Sequence, residues 1–264
     1  MATVAAETFR EEPASEERFA ATMAIVMAAF VVAGFSNQYL MGRSTFAAPL
    51  RVHLHAVAFM GWVALFVTQS WLATRGPLAL HRKLGWIAAG WMVAMVAAGL
   101  AVMIAVVRNG TAPFFFRPQE FLIANPLGLL GFVGLTSAAI VMRKRTDWHA
   151  RLHICGMATI IGPAFGRLLP MPLLIPYAFE TAVMAGAVFP LAGAIRDLRK
   201  TGRVHPAWGI GLAVLALTIV TADLLAASPF GDWLYQTTVA GSPGAAVAGM
   251  EFAPPPDTPL RTGR

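Results

Sequence analysis

One cysteine in 264 residues excludes an intramolecular disulfide and any cysteine-based metal cage. Charge is scarce as well: Asp, Glu, Lys and Arg make up 12% of the chain, about half the share of a soluble domain. There are 13 acidic residues against 20 basic ones. The chain also lacks long polar stretches between its apolar runs, which leaves no room for a second soluble domain. With 57% hydrophobic residues and a mean hydropathy of +0.64, the chain has the bilayer as its solvent.

The net charge of +7 would suggest nucleic acid if the basic residues formed a soluble patch. They lie instead in short loops and at helix ends beside apolar spans, where the positive-inside rule accounts for them. Nucleic acid is therefore excluded as a partner, and the lipid bilayer is the expected one.

Seven apolar segments are read as spans at about 20–41, 52–74, 84–107, 120–142, 150–169, 172–195 and 207–227. Such long runs cannot be the ten-residue alternating strands of an outer-membrane barrel. The predicted fold is all-α: a polytopic membrane helix bundle of about seven transmembrane helices. The least regular stretch is the junction of the fifth and sixth spans, crowded by Gly162-Pro163, Pro170, Pro172 and Pro176. Three regions follow: an acidic tail over 1–19, the bundle over 20–227, and an interfacial segment with a Pro/Gly/Ala tail over 228–264. The two tails are expected to bury little. The first carries Glu7, Glu11, Glu12, Glu16 and Glu17, the wrong charge for a secretory or transit peptide.

Thirteen of the twenty basic residues fall in the amino tail and the even-numbered loops, Arg82-Lys83, Arg143-Lys144-Arg145 and Arg199-Lys200 among them. The expected orientation has the amino terminus in the cytoplasm and the carboxyl terminus outside. Trp71, Trp86, Trp148 and Trp208 fall beside the same loops, as an aromatic belt would. Gly90, Ala94 and Ala98 on the third span, and Gly128, Gly131 and Gly134 on the fourth, form small-residue stripes of the kind that let helices approach closely. Cys155 falls within the fifth span, as a small apolar residue.

The residues that could carry chemistry are histidines. His81 precedes the third span, His149 and His153 open the fifth, and His205 precedes the seventh, all on the cytoplasmic side of this topology. His53 and His55 open the second span on the other side. His149 and His153 are four apart, so a helix presents both on one face, a spacing suited to shared metal or cofactor ligation. His81 supplies a third ligand if the third and fifth helices adjoin. Asp147 is the one carboxylate nearby, in a position that also suits a helix N-cap.

The segments His81-Arg82-Lys83-Leu84-Gly85 and His149-Ala150-Arg151-Leu152-His153 resemble each other, which points to duplication of a two-helix unit. In both, basic groups crowd a helix amino terminus whose free N–H groups attract anions. Candidates are lipid phosphate, haem propionates, a phosphorylated substrate or a partner's carboxylates. On the second span His55, Trp62 and Gln69 share a face. That face either makes interhelical hydrogen bonds or lines a ligand or quinone pocket with His55 and Arg51 at its outer mouth. Glu180 and Asp223 are the acids placed inside the apolar region, and each is a candidate to pair with Arg167 or to line a proton path.

The pattern of His55, Leu80-His81-Arg82-Lys83-Leu84-Gly85, Asp147-Trp148-His149-Ala150-Arg151-Leu152 and Gly166-Arg167-Leu168 resembles uncharacterised bacterial multi-pass membrane proteins with a histidine-bearing four-helix core. It covers about residues 50–170. More loosely, that core is similar to cytochrome b561-type bundles, in which histidines on adjacent helices ligate b-type haem. The resemblance implies a bacterial inner-membrane location and marks His55, His81, Arg82, His149 and Arg151 as cofactor-binding residues. His153 has no counterpart in it and joins them as a neighbour of His149. At most one haem, on the cytoplasmic side, fits, because the outer face offers only His53 and His55 on one helix.

Three functional readings stay open. In the first, His81, His149 and His153 bind haem b or a divalent metal for membrane electron transfer, with quinone or other membrane proteins as partners. The second is a small transporter or assembly subunit without cofactor, and the third a membrane hydrolase with a histidine-bound metal. Whether the protein is an enzyme is left undecided.

Overall fold

The computed structural model describes residues 2–255, with side chains from Ser15 onward. Among these residues there is no strand. The helices are α1 (Ala2–Leu40), α2 (Leu50–Arg75), α3 (Leu78–Arg108), α4 (Pro118–Val141), α5 (Thr146–Ile160), α6 (Gly162–Leu168), α7 (Ala178–Ala185), α8 (Val188–Thr201), α9 (Pro206–Ala226) and α10 (Pro229–Val239). Six segments are long and apolar enough to cross a membrane: 15–40, 50–75, 78–108, 118–141, 178–201 and 206–226. The protein is thus a multi-pass membrane protein. Leu54, Val93, Leu130, Leu217 and Leu224 point outward and are exposed, as lipid-facing residues are.

The fifth predicted span is present in two pieces. Pro163 has no N–H to donate to the carbonyl four residues back, so the helix breaks between α5 and α6 at Ile161. Even so, the two pieces together run the depth of the bundle. At one end Arg151 pairs with Glu16 of α1, and at the other the Arg167 carbonyl accepts from Asn37 of α1. Those two α1 residues are about 31 Å apart at the helical rise of 1.5 Å per residue. α7 and α8 return the chain beside them, separated by a short irregularity at Gly186. There a β-carbon would collide with the Ala158 carbonyl, and one on Gly162 would press on the Ala182 carbonyl. These glycines let two broken helices touch through their backbones. The sixth span begins at Ala178, later than the predicted 172, because Met171–Leu174 forms a short 3-10 turn within the proline-rich junction.

Of the small-residue stripes, the one on α4 is used in part: Gly128 lies beside the Thr159 carbonyl and Gly131 beside Val214, whereas Gly134 and, on α3, Gly90 meet nothing within 4 Å. Trp71 and Trp86 are exposed in the manner of a membrane belt. Trp208 is not a belt residue: it is fully buried and donates Nε1–H to Asp197 at 2.8 Å.

Two expectations about the tails are corrected. Residues 2–19 continue α1 rather than forming a separate tail, and Glu16 is held between Arg151 and Arg196 at 2.7 Å from each. At the other end, residues 241–255 dock on the bundle. The Gly249 carbonyl accepts from the Gln119 backbone N–H at 2.9 Å, and the Val247 carbonyl accepts from the buried Tyr235 hydroxyl at 3.0 Å. Gly244 packs against the Val107 carbonyl. Hydrogen bonds to its backbone carbonyls hold this segment, which a composition rich in Gly, Ala and Pro does not reveal. The remaining residues, 256–264, lie outside the described ones.

Candidate functional site

Contacts between helices sort the ionisable residues into two ends. The basic end holds Glu16, His81, the Arg143–Arg145 run, Arg151, Asp197 and His205; the far end holds His53, Arg117, Glu120, Arg167, Glu180 and Asp223.

At the basic end His81 and His149 each occupy the fourth residue of their helix, α3 and α5. His81 Nδ1 lies 3.2 Å from the Gln69 carbonyl oxygen, and Gln69 Nε2 donates back to the His81 carbonyl at 3.1 Å. His149 Nδ1 lies 2.8 Å from the Ala139 carbonyl oxygen, one of the last four of α4, which have no helical donor of their own. A carbonyl can only accept, so both Nδ1 atoms carry a proton, and in the neutral form of each ring Nε2 keeps a lone pair. Among the described residues neither Nε2 has a hydrogen-bond partner. The ring centres of His81 and His149 are 6.4 Å apart at an interplanar angle of 82°, and those of His149 and His153 are 4.6 Å apart at 89°.

α3 and α5 pack on α4 rather than along each other. The rings meet because each is clasped to the end of the preceding helix. The three imidazoles do not close into a tight cage. Among the described residues, the one group of three or more His, Cys, Asp or Glu side chains with one ligand atom from each within 4.8 Å of the others is Glu120, Glu180 and Asp223 at the far end.

Other predicted site residues are placed differently. Arg82 is exposed beside His81. Arg151 is not available to an external anion. Its guanidinium reaches Asp197 through Nε at 3.2 Å and Nη2 at 3.0 Å, and Glu16 through Nη2 at 2.7 Å. Asp147 is the second residue of α5 rather than its N-cap, and its carboxylate accepts from His205 Nε2 at 3.1 Å. His205 in turn caps α9, its Nδ1 accepting from the Ala207 N–H at 3.2 Å.

His55 belongs to the far half of α2, 14 residues from Gln69, and stacks on Phe59 with ring centres 4.3 Å apart. It does not join His81 and His149. The face it shares with Trp62 and Gln69 looks inward and bonds to α3 at both ends, His55 with the Ala98 backbone and Gln69 with the His81 carbonyl. His55 Nδ1, Trp62 Nε1 and Gln69 Oε1 are buried without a hydrogen-bond partner, as is Thr136 Oγ1 of α4. Arg167 pairs with neither Glu180 nor Asp223. It stacks over Phe35 at 4.2 Å and donates to the Pro163 carbonyl at 2.7 Å. Cys155 is buried beside Gly211 and donates to the Ala207 carbonyl.

Sequence reasoning missed Glu16, Asp197, Gln119 and Glu120. Asp197 sits within the basic run Arg196 to Arg203 and reads there as a loop acid. Glu120 follows Pro118 at a helix start, where an acid is ordinary. Comparison with family models, with curated proteins and with solved structures gives no match.

Proposed function

We propose that this multi-pass protein lies in a bacterial inner membrane with its basic end in the cytoplasm, and that His81 and His149 hold a redox centre, haem b or a divalent metal, for electron transfer within the bilayer. The observation that supports this is the matched pair of clasps: two imidazoles from different helices, each fixed by Nδ1–H to a backbone carbonyl, with both Nε2 lone pairs free. Metal-bound histidines are oriented by this kind of outer hydrogen bond. The 6.4 Å between ring centres is short enough that both Nε2 atoms would hold one bound ion at ligand distances of about 2 Å.

In this reading a bound iron or metal supplies the one-electron chemistry. The chain's residues fix the tautomer, hold the rings and keep the centre at the basic end of the bundle. Arg82 is the exposed cation beside His81 and suits an anionic substituent, while the Arg151 network fixes α5 relative to α1 and α8. Quinone or a membrane protein is the partner class this chemistry would serve.

A second reading rests on the same clasps. Each histidine locks a helical hairpin, α2–α3 or α4–α5, and this suits a transporter or assembly subunit without cofactor. A histidine-metal hydrolase is less well supported, because the nearest carboxylate, Asp147, is taken by His205. The deciding experiment is an absorption spectrum and metal analysis of the purified protein: a Soret band or a stoichiometric metal supports the first reading, and neither supports the second.

A further inference from the structure

The far end of the bundle carries a feature that the histidine reading leaves unused. Glu120 near the start of α4, Glu180 near the start of α7 and Asp223 in the last turn of α9 bring their carboxylates together, with one oxygen from each within 4.8 Å of the others. They line a cavity of about 270 Å³ with Arg117, Ala226 and Ala227. The cavity runs from the exposed Asp223 inward to Glu120, which is 3% exposed. The Glu120 carboxylate lines this cavity and, among the described residues, has neither a hydrogen bond nor an ion pair. Glu180 Oε2 is likewise buried and unpartnered.

We infer that Glu120, Glu180 and Asp223 form a binding site for a hard divalent cation at the end of the bundle opposite the histidines. Charge supports this first. A buried carboxylate without a partner is costly, and three side by side repel one another. Arg117 lines the same cavity but makes no ion pair with any of the three, its guanidinium lying 4.9 Å over the Phe252 ring. Three carboxylates and one guanidinium leave two negative charges, which one divalent ion neutralises.

The donor set decides the class of ion. All three side chains offer oxygen and none offers nitrogen or sulfur, which selects Mg²⁺, Ca²⁺ or Mn²⁺ over zinc or copper. The geometry agrees, for two oxygens on one Ca²⁺, each at about 2.3–2.6 Å, lie at most about 5 Å apart. The cavity leaves space for the water ligands such ions keep, and Asp223 stands at its solvent side as the point of access.

The surroundings are built to hold the three carboxylates in place. Gln119, 3% exposed, donates from Nε2 to the Ala226 carbonyl at 2.7 Å and to Asp232 at 2.8 Å, tying the start of α4 to the end of α9 and to α10. Its backbone N–H is held by Gly249. The docked carboxyl-terminal segment therefore closes one side of the same cavity, where Met250 lies.

The test uses the full-length protein purified in detergent, freed of metal with a chelator and titrated with Mn²⁺ alone. Loss of the free-ion electron paramagnetic resonance signal reports binding, and Ca²⁺ and Mg²⁺ serve as competitors. The expected result is a saturable site weakened at least tenfold in Glu120→Gln and in Asp223→Asn and unchanged in Gly134→Ala, whose added methyl meets nothing within 4 Å. Asp223 is exposed, so its variant tests the site even if Glu120→Gln fails to fold. The inference is overturned if the wild-type protein shows no saturable Mn²⁺ binding, or if both variants bind as the wild type does. A Glu120→Gln protein that is more heat-stable than a metal-indifferent wild type would also overturn it, since that outcome identifies Glu120 as a protonated acid.

Discussion

His81 and His149 approach to 6.4 Å between ring centres although their helices, α3 and α5, both pack on α4 rather than on each other. Each ring reaches the other from the fourth position of its helix, clasped by Nδ1 to a carbonyl of the helix before it. The two short sequence segments that look alike thus perform the same local task, which supports duplication of a helix-pair unit. The matching clasps put two equivalent imidazoles at one end of the bundle, and the functional reading rests on that symmetry.

The buried pairing at the basic end should dominate stability. Asp197 accepts from Arg151 and from Trp208 Nε1, and its side chain is 5% exposed, whereas that of Glu16 is 32% exposed. Removing one partner of a buried pair costs about 3–5 kcal/mol. Asp197→Ala should therefore lower the melting temperature in detergent markedly, and Glu16→Ala should lower it less. Equal shifts would show that the two acids carry Arg151 alike.

Cutting the chain after Ala240 should destabilise it, because the cut strips the partners from the Gln119 N–H and the Tyr235 hydroxyl, both in buried residues. Each unsatisfied group costs about 1–3 kcal/mol. The check is the melting temperature of the truncated protein against the full chain. An unchanged value would mean that residues 241–255 contribute nothing to the bundle.

Gly186→Val should be poorly tolerated, since a side chain there drives into the Ala158 carbonyl of α5. Overpacking of this kind costs about 1–3 kcal/mol, and the yield of monodisperse protein measures it. Gly134→Ala on α4, which faces open space, is the control and should behave as the wild type does.

Reporter fusions address orientation. With thirteen basic residues on the amino-terminal side of the topology, a carboxyl-terminal reporter should read out as external and one in the loop near Arg143 as cytoplasmic. The opposite pair of results would invert the assigned ends.

The membrane fold was legible in the sequence because long apolar runs have one physical solution in lipid: six of the seven expected spans match long apolar helices to within about six residues at each end, whereas the fifth, 150–169, is broken at Pro163 and is not among them. The histidine pair was legible in part: His149 and His153 share a helix face, but the approach of His81 depends on how two hairpins pack, which no local pattern encodes. Trp208 looked like a belt residue because its position beside a basic loop is the same whether it faces lipid or Asp197. Glu16 and Glu120 were hidden for a similar reason. An acid in a charged tail or at a helix start carries no mark of the arginine or the two distant carboxylates that folding brings beside it.

The central claim, a centre held by His81 and His149, is tested most directly by the visible absorption spectrum and metal content of the purified wild-type protein beside His81→Ala, His149→Ala and His205→Ala. The account predicts a Soret band or a stoichiometric metal in the wild type that is lost in both His81→Ala and His149→Ala and kept in His205→Ala, whose ring caps α9 and bonds Asp147. A folded wild-type protein with no absorbing centre and no bound metal, or a centre that survives in both of the first two variants, would contradict it.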